Sequence, residues 1–234
     1  MVRVGKKLLV AAVIALGAIA NHAKAGTVQI GTYADTGSSF QWHFVNSAGT
    51  LSASTTGFFI GFGPPNQIIN FTGAVNTTVN ATVSGAASTD AGNVTSQALD
   101  GYIAFTDQVT SKLVLRVDFV GALISGTNGS RADSIGADEL KGQIISYSAD
   151  NAFKVGSFNP PSTFTIGLTL FQESGLTISG NNLSDFDATA VGTFATGTRS
   201  GDIPGTPSPE SVWGGLSLMG LIGGTSMWVR RRRL

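Results

Sequence analysis

The sequence predicts an all-β body, an antiparallel β-sandwich of jelly-roll type, over residues 26–196. Three observations predict it. Apolar residues recur with period two in about ten short runs. Those runs are rich in Val, Ile, Thr and Phe, which fit a pleated, half-buried surface. Turn residues separate nearly all of them: Gly-Pro-Pro at 63–65, Thr-Asn-Gly at 127–129, Asn-Pro-Pro at 159–161 and Gly-Asn-Asn at 180–182. A β-solenoid would share the Gly/Thr/Asn/Ser composition, but no fixed repeat of about 20 to 50 residues runs through the chain.

The elements follow in order. Thr27 to Tyr33 is the first predicted strand. Ser39 to Val45 puts Phe40, Trp42 and Phe44 on one side and Gln41 and His43 on the other. Gly57 to Phe62 is a short aromatic strand, and Gln67 to Thr72 follows the Gly-Pro-Pro turn. Val75, Thr77, Val79, Ala81 and Val83 alternate with Asn76, Thr78, Asn80 and Thr82, and Gly101 to Asp107 alternates in the same way. Lys112 to Ile124 is the longest strong run, with Leu113, Leu115, Val117 and Phe119 facing opposite to Lys112, Arg116 and Asp118. Gln143 to Tyr147, Thr163 to Phe171, Leu176 to Ile178 and Asp185 to Thr196 complete the set. Ala132 to Leu140 is the best helical candidate, a turn or two long.

The chain has 14 basic and 14 acidic residues, but they are segregated. Between residues 26 and 208 six cations face 13 acids, a formal charge of −7. Binding to nucleic acid rests on neutralising phosphates, so an acidic body argues against that partner. There is no cysteine, which excludes disulfide frameworks, thiolate metal sites and cysteine nucleophiles.

The two ends differ from the body. Arg3, Lys6 and Lys7 precede the 13-residue apolar stretch Leu8 to Ala20, and Ala23-Lys24-Ala25 follows. A basic n-region, a short h-region and a small–x–small site predict a helical signal peptide over 1–25, cut after Ala25 by signal peptidase. Residues 197–208 hold Pro204 and Pro207 with no apolar alternation and read as a flexible stalk. Val212 to Val229 is 18 residues without charge, about 27 Å as a helix against a hydrocarbon core of about 30 Å. Arg230, Arg231, Arg232 and Arg233 follow it at once and read as a stop-transfer cluster on the cytoplasmic side. Five glycines dilute this predicted transmembrane helix.

Pro209-Glu210-Ser211, the glycine-rich span 212–229 and the arginine cluster 230–233 together resemble the PEP-CTERM sorting signal of Gram-negative bacteria. The third motif position is Ser where Pro is more usual. The resemblance covers residues 209–234. It implies processing by an exosortase near the Pro-Glu motif and passage through an inner-membrane intermediate. The implied destination is the cell surface or extracellular matrix, in association with exopolysaccharide or biofilm.

The body offers little recognisable chemistry. After leader removal one histidine, His43, stays in the chain, and a Ser-His-Asp triad would have to use it. No Gly-x-Ser-x-Gly elbow supplies the partner, so no catalytic residue is assigned and no cofactor is implied. Asp185 and Asp187 form a weak Ca²⁺ candidate, as does the stretch holding Asp133, Asp138 and Glu139, but neither has a calcium-loop spacing. Trp42, Tyr33, Tyr102 and Tyr147 are the aromatic candidates for carbohydrate binding, with Trp42 better suited to the core. The expected role is structural or binding. A membrane-tethered enzyme acting on polysaccharide is the alternative, and two close carboxylates in a cleft would mark it.

Overall fold

The computed structural model describes residues 27–36, 41–62, 68–127, 130–171 and 175–197. The predicted signal peptide, with Ala23 and Ala25, lies outside the described residues. So do the stalk, the Pro209–Ser211 motif, the span 212–229 and the arginine cluster. Among the described residues no helix is long and apolar enough to cross a membrane.

Thirteen strands are described. They are β1 (Thr27–Asp35), β2 (Trp42–Val45), β3 (Thr50–Gly61), β4 (Thr72–Val83), β5 (Ser88–Thr89), β6 (Val94–Asp107) and β7 (Leu113–Thr127). Then come β8 (Ala132–Asp138), β9 (Ile144–Ser148), β10 (Thr163–Leu170), β11 (Ile178–Ser179), β12 (Asn182–Leu183) and β13 (Phe186–Gly197). One 3-10 turn, Glu139–Lys141, joins β8 to β9.

The body is antiparallel and all-β, as the periodicity requires. The wall runs β6-β4-β3-β1-β13-β10-β8-β7, and β7 pairs back onto β6. Eight strands therefore close into a barrel, and the expected sandwich of two stacked sheets is corrected. Closure leaves no edge among these eight strands, whereas a sandwich exposes edges in both sheets. Two positions in the wall are filled by two strands each. β1 and then β2 run between β3 and β13. β8 and then β9 run along β7.

Strand alternation puts the apolar set inside. On β3, Leu51, Ala53 and Phe59 are buried between exposed Ser52, Ser54 and Thr56. β4 follows the same rule. On β7 the inward phase changes along the strand. Leu115, Val117 and Phe119 point in, and then Ala122 and Ile124 do. Gly121, at φ 73°, makes the bulge that shifts the phase, and Asp100 Oδ1 accepts its N–H at 2.7 Å. The interior is filled, as expected for eight strands. Phe105 stands at its middle, 4.7 Å from the Tyr33 ring, 5.4 Å from Phe59 and 5.3 Å from Phe194.

Both ends are covered. At one end, here the root, Thr27 pairs with Gly197, so the chain enters and leaves the barrel side by side. The segment after β9 crosses this end. Phe153 O accepts from Asn70 N at 2.8 Å, and Val155 N donates to Ile68 O at 2.9 Å. At the opposite end, the crown, the β11–β12 hairpin crosses toward β6. Gln97 holds it, donating to Asn182 Oδ1 and Gly85 O at 2.9 Å and accepting from Leu183 N at 3.0 Å.

Local expectations fail in places, among them Leu176 to Ile178, of which only Ile178 is in a strand. Ala132 to Leu140 is strand β8 and then the 3-10 turn, not a helix, because Asp133, Ile135 and Ala137 alternate inward. Of the predicted strand Gln67 to Thr72, residues 68–71 form no strand. Ile69 makes a single bridge to Lys154.

Candidate functional site

Strand β2 is the sequence Trp-His-Phe-Val. Its alternation buries Trp42 and Phe44 and leaves His43 on the outside. On β13 the same rule buries Phe186 and Ala188 and turns Asp187 outward. The register places His43 opposite Asp187, and His43 Nδ1 meets Asp187 Oδ1 directly. Both side chains keep about half of their exposure, at 50% and 47%.

The row continues on the other side. His43 pairs with Ser52 of β3, Ser52 with Asn80 of β4, Asn80 with Tyr102 of β6, and Tyr102 with Asp118 of β7. Asp187, His43, Ser52, Asn80, Tyr102 and Asp118 thus form one polar band across six strands of the outer wall. Neighbouring strands lie about 4.8 Å apart. At its far end the Arg116 guanidinium lies 3.8 Å over the Tyr102 ring. Arg116 also grips Asp118 through Nε at 3.0 Å and NH2 at 2.7 Å. Asp118 hydrogen-bonds the guanidinium and raises its pKa further. Each acid in the band has a basic partner.

The sequence candidates fall in different places. Tyr33, Trp42 and Tyr147 are buried and cannot meet a sugar from outside, which corrects their reading as carbohydrate-binding aromatics. Tyr102 is half-buried under Arg116. Asp185 and Asp187 do not converge on a cation. Asp185 Oδ1 accepts from Asn46 N at 2.6 Å, while Asp187 engages His43. The second acidic stretch is dispersed as well. Asp133 points into the barrel, Asp138 caps the 3-10 turn through Leu140 N at 3.0 Å, and Glu139 Oε2 accepts from Ser162 N at 2.5 Å. Among the described residues no three His, Cys, Asp or Glu side chains gather as a metal-binding group.

The interior placement of two carboxylates, Asp35 and Asp133, was not read from the sequence. Asp35 accepts from the Tyr33 hydroxyl and from Ala190 N, the latter at 2.8 Å, and burial raises its pKa. Tyr33 in turn sits well above the usual phenol range, through burial and then the charge of Asp35. Asp133 is only 7% exposed, and neither of its oxygens has a hydrogen-bond partner among the described residues. Burial pushes its carboxyl up to about 6. Period two over Asp133, Ile135 and Ala137 was the available signal.

Compared with family models, with curated proteins and with solved structures, the chain matches none of them.

Proposed function

We propose that the chain is an exported surface or extracellular-matrix protein, sorted by an exosortase and associated with exopolysaccharide in a structural or binding role. The single observation that carries this reading is the order of parts after residue 208: Pro209-Glu210-Ser211, an uncharged span and four arginines. The leader ending at Ala25 supports export through signal peptidase. The barrel is compatible with both processing steps. Thr27 and Gly197 stand side by side at the root, so both ends of the described body lie at one end of the barrel. In this reading the inner membrane is a transient station, and exosortase releases the body from it.

Mass spectrometry of surface and secreted material tests the reading. The expected mature protein starts at Gly26 and yields no peptide beyond about Ser211. Recovery of Trp228 and the arginines in surface material would overturn it.

The alternative, a membrane-tethered enzyme acting on polysaccharide, is favoured by a different observation, the contact of His43 with Asp187 beside Ser52.

A further inference from the structure

Acyl transfer by a serine needs four groups in a fixed order. An acid orients an imidazole, the imidazole takes the serine proton, and a donor meets the oxygen that becomes negative. The outer band supplies these residue types in that order on four adjacent strands: Asp187 on β13, His43 on β2, Ser52 on β3 and Asn80 on β4. Directly opposed residues on one face of an antiparallel pair have Cβ atoms about 4.5–5.5 Å apart, a separation that side chains of this size can bridge. Asp187 takes Nδ1 of His43. A ring that donates from Nδ1 carries its lone pair on Nε2, the tautomer a general base requires. Ser52 is exposed on the outer face of β3.

We propose that Ser52 and His43 are a nucleophile and general base for hydrolysis of small acyl esters, with Asp187 as the positioning residue and Asn80 as the amide donor to the oxyanion. Ser52 Oγ attacks the ester carbonyl while His43 Nε2 takes its proton. The tetrahedral oxygen accepts from Asn80 Nδ2. Collapse breaks the bond to the alcohol, which leaves with the proton from His43, and Ser52 holds the acyl group. Water then attacks the acyl-serine, its proton passes through His43 back to Ser52, and the carboxylic acid departs. The band lies on the outer face of the barrel wall, and His43 and Asp187 keep about half of their exposure. That exposure fits a short acyl group, such as acetyl, carried on the surface of an extended polymer. The inference is independent of how the protein is sorted, because it concerns only residues of the barrel wall.

The test uses the purified full chain, a fluorophosphonate probe with peptide mapping, and release of p-nitrophenol from p-nitrophenyl acetate. The expected result is labelling at Ser52. Hydrolysis should fall by about 100-fold or more in Ser52→Ala and in His43→Gln, the range a general base supplies. Ser54→Ala, two residues along the same face, should keep the full rate. Asp187→Asn should lower kcat with KM unchanged and displace the pH–rate profile. Asn80→Ala should lower kcat alone. Circular dichroism shows which variants fold, and labelling of the unaltered chain decides the matter if some do not. Absence of label at Ser52 would overturn the proposal, as would equal ester hydrolysis by the parent and Ser52→Ala.

Discussion

The carboxylate of Asp133 occupies the space that a side chain at Gly126 would need. The two residues stand on β8 and β7 near the crown, and the carboxylate has no hydrogen-bond partner among the described residues. An ionised group in such a place is costly, so the protonated form is favoured.

Stability should therefore fall with rising pH. The folded carboxyl is raised to about 6 from an unfolded value of about 3.9, so between these the folded chain binds more protons. The contribution is complete below pH about 4 and is lost as pH rises through about 6, a drop of about 2–3 kcal/mol. Asp35 is shifted in the same direction and adds to it. Urea melts across this range should show a smaller drop for Asp133→Asn than for the parent. An identical drop would count against the assignment.

Gly126→Ala should destabilise by about 1–3 kcal/mol, as overpacking does. The double variant Gly126→Ala with Asp133→Ala should recover part of the loss, because the new methyl enters vacated space. Denaturation midpoints of the single and double variants measure the coupling. Simple additivity would show that the two side chains do not compete.

Gln97→Leu removes the hydrogen bonds to Gly85, Asn181 and Asn182 from the crown and strands Leu183 N. Leaving a buried donor unsatisfied costs about 1–3 kcal/mol. Amide exchange should accelerate first across residues 178–183, ahead of the barrel wall. Uniform acceleration over the whole wall would contradict a local role for Gln97.

Phe105→Ala should cost about 3–5 kcal/mol, since three aromatic rings lose their shared neighbour. Phe58→Ala, on the outer face at 41% exposure, should cost far less. Comparable thermal shifts for the two would contradict the packing described.

Local periodicity made much of this fold legible. The alternation of Val75 to Val83 is strand β4, and Trp42 and His43 take opposite sides as read. Where the pattern is polar on both faces it failed. Thr50 to Thr56 is the first half of β3 but shows only Leu51 and Ala53 as apolar marks. Val94 to Asp100, with Thr95 and Gln97 turned inward, extends β6 well before Gly101. Closure into a barrel was not legible, because the pairing of β6 with β7 and of β1 with β13 is set by all strands together. The row from Asp187 to Asn80 was hidden for the same reason. Its members are separated by up to 144 positions and meet through register alone.

The placement of Gly197 has a mechanical consequence. β13 lies between two partners, β1 with β2 on one side and β10 on the other. A pull on the stalk draws β13 along its own length, across hydrogen bonds that run perpendicular to the strand. Both ladders then share the load in shear, and none opens one bond at a time as a zipper would. A body suspended from Gly197 hangs by a strand that is held along both of its edges.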